Sequence, residues 1–225
     1  MTTLLDDLCM AYGREWLLLR RQSSHLINGF CFFLLIGLVY QILLGPNLVM
    51  PQGVTLTLLW VLSFLSILLI ADGWLVSDLK NGFYELWMSQ SRSLSILFFA
   101  KLSFQWIVIG LLLSVFAPLV GLGLGLDTAL LWLTVASLVV SSLAMICLCG
   151  FGAVITAGQS SSGLLMAVLV LPLNIPPMIF GAGVVLESLQ GYDSMPIFML
   201  TVALSIASIS FVPWLMSFCT KVLIE

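Results

Sequence analysis

Six stretches of this chain, at residues 27–44, 55–71, 94–119, 129–157, 164–186 and 197–218, each run for 17 residues or more, and together they hold a single Asp, Glu, Lys or Arg, Lys101. Roughly 20 apolar residues carry an α-helix across the hydrocarbon core of a bilayer. Within lipid every backbone amide must find its partner inside the segment, so only helices and closed barrels are possible. Barrel strands alternate apolar and polar residues, whereas Leu111–Leu126 is apolar on every side. Only 8% of the residues are charged against 61% apolar. Soluble domains carry about 25% charged residues, so a water-soluble enzyme and a disordered chain are both excluded. The expected fold is an all-α polytopic membrane protein, one membrane domain over 1–225 with six transmembrane helices. The fourth stretch is long enough to tilt. The first is not read as a cleaved signal, because residues 1–26 precede it and no small-residue cleavage pattern follows.

Lys and Arg are retained on the cytoplasmic side of a membrane. Arg14, Arg20 and Arg21 precede the first stretch, Lys80 and Arg92 lie between the second and third, Lys101 is just inside the third, and Lys221 follows the sixth. The opposite loops, about 45–54, 120–128 and 187–196, hold only Asp127, Glu187 and Asp193. Both termini are therefore expected in the cytoplasm. The uncharged turn Gly158–Gly163 is placed there by alternation alone.

Two cytoplasmic segments are amphipathic. Across residues 1–24, Leu5, Leu8, Tyr12, Trp16 and Leu19 recur at helical spacing, with Asp6, Asp7, Arg14 and Arg21 mostly off that stripe. The pattern reads as an interfacial helix on the leaflet, either a simple anchor or a lever to a cytoplasmic partner. The loop 72–93 holds five of the 17 charges. In it Leu75, Leu79, Phe83, Leu86 and Trp87 form a helical stripe, and Gly82 marks a bend or close approach. It either bridges two spans or docks a protein. Phe83 and Trp87 call for a cover.

Lys101 lies about two helical turns into the third stretch. It is expected to snorkel to the cytoplasmic surface, because Leu102–Leu119 is still long enough to span. The other reading is an interhelical or anion-facing charge. In the fifth stretch, Pro172, Pro176 and Pro177 flank Asn174 and each removes an amide donor. The expectation is a helix break bordering a pathway or a packing kink, with Gly181, Gly183 and Glu187 compatible with a re-entrant second half. Glycines 110, 121, 123, 125, 150 and 152 read as close-packing positions.

No phosphate-binding G-x-x-x-x-G-K-[ST] pattern occurs, so ATP-driven work would need another chain. Cys147 and Cys149 point about 200° apart on a helix and do not share a metal. His25 is the sole histidine, which excludes a two-histidine zinc motif. No metal site and no cofactor of the chain's own is expected, no basic patch suggests nucleic acid, and no catalytic constellation is visible.

The run Ser77-Asp78-Leu79-Lys80-Asn81-Gly82-Phe83-Tyr84-Glu85-Leu86, then Phe99-Ala100-Lys101, Trp106, Gly110, Ala117-Pro118-Leu119 and Leu124-Gly125-Leu126, together with Leu169-Val170-Leu171-Pro172-Leu173-Asn174-Ile175-Pro176, resembles the CcmB family. The resemblance implies an ABC-2-type permease-like subunit acting in c-type cytochrome maturation, in a bacterial inner membrane rather than a mitochondrial one. It implies a homodimer bound to a separate ATPase, CcmA, associated with CcmC and CcmD, with ATP hydrolysis releasing the haem-loaded chaperone CcmE. Haem would be handled by the complex rather than ligated by this chain. Asp78, Gly82 and Glu85 match the family's coupling loop and, with Phe83 and Trp87, are the candidates for ATPase docking. Phe83 stands where the family has a small hydroxyl residue, and Asn81 replaces an acidic one. Lys101, Pro172, Asn174, Pro176 and Pro177 are the candidates for a pathway or helix break. The competing readings are a self-sufficient secondary transporter, which would need paired ionisable groups inside the membrane, and a passive scaffold.

Overall fold

Long apolar sequence without a charge leaves the backbone one solution in lipid, and the chain takes it almost everywhere. The computed structural model describes residues 4–21, 23–45, 51–71, 78, 81–90, 92–157 and 162–224, and among them there is no strand. Helices α1 (Leu4–Arg21), α2 (Ser23–Leu44) and α3 (Gln52–Ala71) come first, followed by the short α4 (Phe83–Ser89). The third span is built from α5 (Leu94–Gln105), a π-helical turn at Trp106–Gly110, and α6 (Leu111–Gly123). A 3-10 turn at Thr128–Leu130 leads into α7 (Leu131–Thr156), and α8 (Ser162–Leu189) and α9 (Met195–Ile224) complete the chain. Six helical segments are long and apolar enough to cross a membrane: Leu26–Leu44, Gln52–Ala71, Leu94–Gly123, Thr128–Thr156, Gly163–Leu189 and Met195–Leu223. The chain is a multi-pass membrane protein.

Helices α3 and α7 are the most enclosed, while α2, α8 and α9 keep most of their surface outward. Between apolar helices in lipid, close packing and hydrogen bonds replace the hydrophobic drive. A side chain at Gly152 would overlap that of Val170, so α7 and α8 approach there as only a glycine permits. Trp60 Nε1 donates to Ser141 Oγ at 3.1 Å, and Ser137 Oγ donates to the Gly181 carbonyl at 2.6 Å, which joins α3, α7 and α8. Trp106 Nε1 donates to the Val139 carbonyl at 3.0 Å, fixing the π-helical turn against α7. On the far side from the cations, α6 ends with Gly125 at φ +89°, a left-handed conformation open to glycine. That turn lets the Leu126 amide reach back to the Gly121 carbonyl at 2.8 Å.

Two sequence expectations change here. First, α8 is a single helix through Pro172, Pro176 and Pro177, neither broken nor re-entrant. Each proline forfeits one intrahelical bond, but its fixed φ is helical, and Pro172 and Pro176 lie on the outer face with room for their rings. Second, the buried edge of α1 is Asp7, Ala11 and Glu15, whereas Trp16 is half exposed. The helix packs sideways on α5, through Tyr12 and Trp16 edge-to-face with Phe104 at 6.4 Å, so its inward face is rotated from the apolar stripe toward two carboxylates. Leu75 and Leu79 of the loop stripe, the loop cation Lys80, and residues 158–161 of the uncharged turn lie outside the described residues.

Candidate functional site

The one charge within the apolar stretches sits at the centre of an ion-pair cluster. Lys101 is seven residues from the start of α5, about 10 Å along the helix, and α1 covers the face that carries it. Its Nζ lies 3.1 Å from Asp78 Oδ2 and 3.2 Å from Glu15 Oε1. Arg14 closes the ring, with Nη1 donating to Glu15 Oε1 at 3.0 Å and Nη2 to Asp78 Oδ1. Two cations and two carboxylates thus balance. Lys101, Glu15 and Asp78 are all buried, and only Arg14 keeps contact with solvent. Lys101 therefore does not snorkel. The carboxylates come to it, one from the amphipathic helix and one from the loop, which makes it an interhelical charge.

Burial alone would raise the Asp78 carboxyl, but Lys101 and Arg14, by charge and by hydrogen bonding, outweigh it and hold the group below the ordinary carboxylate value. Tyr84 is enclosed beside the cluster. Burial first, then the negative charge of Asp78 and Glu15, pushes its hydroxyl well above its ordinary value, so it is a neutral phenol at any physiological pH.

The cluster fixes the loop to the membrane domain. The Arg14 guanidinium stacks 3.6 Å from the Phe83 ring centroid, tying α1 to the first residue of α4. Tyr84 packs on Phe98 of α5 at 5.4 Å, and Trp87 Nε1 donates to the Ser93 carbonyl at 3.2 Å. Helix α4 starts at Gly82, whose φ of +65° costs an ordinary residue about 1–2 kcal/mol. Its carbonyl accepts the Leu86 amide at 3.1 Å. The outcome is a short helix with Tyr84 and Trp87 turned inward and Glu85 and Leu86 outward. Among the described residues no cation pairs with Glu85.

The candidates from the sequence thus separate into three places. Asp78 and Trp87 are buried supports, Gly82 and Phe83 are half-buried at the start of α4, and Glu85 stands exposed. Lys101 joins this group. Asn174 does not: it is buried in the span, where its Nδ2 donates to the Val170 carbonyl at 3.0 Å and lies 3.9 Å from Cys149 Sγ. Pro177 is buried near it, with Pro172 and Pro176 on the outside. Glu15 and Tyr84 were missed by sequence reasoning. A signal existed for the first, since Asp7, Ala11 and Glu15 recur every fourth residue beside Leu8 and Tyr12. A carboxylate on the packed face of one helix and a lone lysine in an apolar run are two halves of a pair.

The sequence was also compared with known proteins. The family model described as "CcmB protein" matches residues 9–222. The Heme exporter protein B of Pseudomonas aeruginosa is 35% identical over 182 residues, covering 81% of this chain and 82% of that protein. The Heme exporter protein B of Paracoccus denitrificans is 37% identical over 177 residues, 76% of this chain and 81% of the relative. That of Haemophilus influenzae is 29% identical over 171 residues, 76% and 77% respectively.

Proposed function

The chain belongs to the CcmB family, and from that membership we propose that it is the membrane permease of a haem exporter, acting in c-type cytochrome maturation and driven by a separate ATPase, CcmA. It would sit as a homodimer in the bacterial inner membrane with CcmC and CcmD, and ATP hydrolysis would release the haem-loaded chaperone CcmE. Haem is then cargo of the complex and not a group held by this chain.

The observation that carries the reading is the construction of α4. An element that transmits force must offer a surface to its partner and be rigidly joined to what it moves. Glu85 and Leu86 are the exposed surface. Asp78, Tyr84 and Trp87 are the joint, linked to α5 and α1 through Lys101, Phe98, Ser93, Arg14 and Glu15. Movement of α4 would reach the third span directly. On this reading Asp78 and Trp87 position the docking helix, while Glu85 meets the ATPase. The paired charges do not favour a self-sufficient secondary transporter, because binding sites in such proteins lie near the bilayer midplane and this cluster lies at the cytoplasmic end of α5.

The test is Glu85→Lys, a reversal at an exposed position that leaves the cluster intact. A like-charge contact across an interface costs several kcal/mol, so recovery of the ATPase with the purified permease should fall about tenfold or more, and chaperone release with it. Unchanged co-purification and release, in a stably inserted variant, would refute docking through α4.

A further inference from the structure

The cytoplasmic ends of α5 and α9 enclose a cleft that the docking site does not use. Its mouth is a cavity of about 430 Å³ lined by Arg92, Ser93, Ser95, Ser217 and Lys221, with Trp214 and Phe218 at the rim. It continues into an apolar groove of about 390 Å³ formed by Ile96, Phe99, Ile209 and Pro213. Ser95 and Trp214 line both, so the two volumes are one feature. Helical spacing explains the gradient along it. Trp214, Phe218 and Lys221 share a face of α9, while Ser95 and Phe99 share a face of α5 and Arg92 lies two residues before that helix begins. The cleft is thus cationic at the cytoplasmic end and apolar toward the bilayer.

We propose that this cleft binds one anionic phospholipid of the cytoplasmic leaflet, with its phosphate at the Arg92–Lys221 mouth and an acyl chain along the apolar groove. Charge complementarity favours that occupant. No acidic residue lines the mouth, and Lys221 is exposed with no ion pair among the described residues. Arg92 is held in place: its Nε lies 3.5 Å from Asp7 Oδ1, and its guanidinium lies 5.2 Å from the Trp87 ring. The hydroxyls of Ser93, Ser95 and Ser217 add donors suited to phosphate oxygens, and the first amides of α5 have no intrahelical acceptor. A free phosphate would use the mouth alone. The continuation into the hydrocarbon, flanked by the exposed Trp214 and Phe218, selects an amphiphile. A tryptophan such as Trp214 settles at headgroup level. The proposal stands whether or not α4 docks an ATPase.

The experiment is native mass spectrometry of the purified complex after exchange into phosphatidylglycerol or phosphatidylcholine of identical acyl chains. One phosphatidylglycerol per chain should be retained in preference to phosphatidylcholine. A single surface cation is worth about fivefold in affinity for anionic lipid, so Lys221→Ala should lower retention by about that factor with an unchanged melting temperature. Ser210→Trp, which fills the groove without touching the mouth, should abolish retention, and millimolar inorganic phosphate should not displace the lipid. Equal retention of the two lipids, a Lys221→Ala or Ser210→Trp protein that binds like the parent, displacement by phosphate alone, or a complex with no lipid because another subunit fills the cleft would each overturn the proposal.

Discussion

Lys101 is stable where it is because two carboxylates, 23 and 86 residues away in sequence, reach it. Removing one partner from a buried ion pair leaves an uncompensated charge and costs about 3–5 kcal/mol. Lys101→Met should therefore lower the melting temperature sharply, because Glu15 and Asp78 would be left with Arg14 alone. The combined variant Glu15→Gln, Asp78→Asn, Lys101→Met removes the three buried charges, leaves only Arg14, which keeps contact with solvent, and should recover most of the loss. A Lys101→Met protein that melts with the parent would show that the cluster holds nothing. Acid acts on the same contacts. The folded Asp78 carboxyl lies below its ordinary value, so the group contributes fully to stability above the unfolded value of about 3.9. The contribution disappears as pH falls through the lower folded value. Thermal stability should be insensitive to Asp78 down to about pH 5 and should decline below about pH 4, with a shallower decline in Asp78→Asn. Lys101 was visible in the sequence as an anomaly, whereas its pairing with Glu15 and Asp78 was not read there. Hydropathy is a local property, and Glu15 and Asp78 are brought to the lysine by the packing of α1 and the course of the loop.

Among the elements, α4 and α8 show how little a helix's fate depends on its own composition. α4 has seven residues, too few to form alone, and it persists because Tyr84 and Trp87 are buried and Gly82 adopts a left-handed start. Gly82→Ala should cost about 1–2 kcal/mol at that backbone position, loosening α4 while the spans stay folded. Faster limited proteolysis within 81–90 at an unchanged global melting temperature is the expected readout, and equal cleavage of variant and parent would show that the glycine conformation does not hold the helix. α8 is the opposite case, since three prolines fail to break it. Sequence reasoning took the lost amide donors as grounds for either a break or a packing kink. In a span fixed at both ends by neighbouring helices, a lost hydrogen bond is tolerated more readily than a broken backbone. The surface of α4 was legible from its charges and aromatics. Which of those side chains face inward was not, because that depends on Phe98 and Ser93 of a helix that follows.

For the whole molecule, the six spans were legible because each satisfies the bilayer by itself. Their arrangement was not, since α3 and α7 become the enclosed pair through positions such as Trp60, Ser137 and Ser141 that look ordinary in sequence. An even number of spans places both termini on one side, and the described cations Arg14, Arg92 and Lys101 gather there around α1, α4 and the start of α5. If lysine and arginine retention sets the orientation, that side is cytoplasmic, and the turn between α8 and α9, where Tyr192 is exposed, faces the opposite compartment. Two single-cysteine proteins in a background without the native cysteines decide it. Tyr192→Cys should react with a membrane-impermeant maleimide added to intact spheroplasts, while Gln90→Cys, exposed at the end of α4, should react only in inverted vesicles. The reverse pattern would turn the permease over and place α4 beyond the reach of any cytoplasmic ATPase. Labelling of both from one side would instead mean that the number of crossings between them is even, in conflict with three spans between residues 90 and 192 plus α9 returning to Lys221.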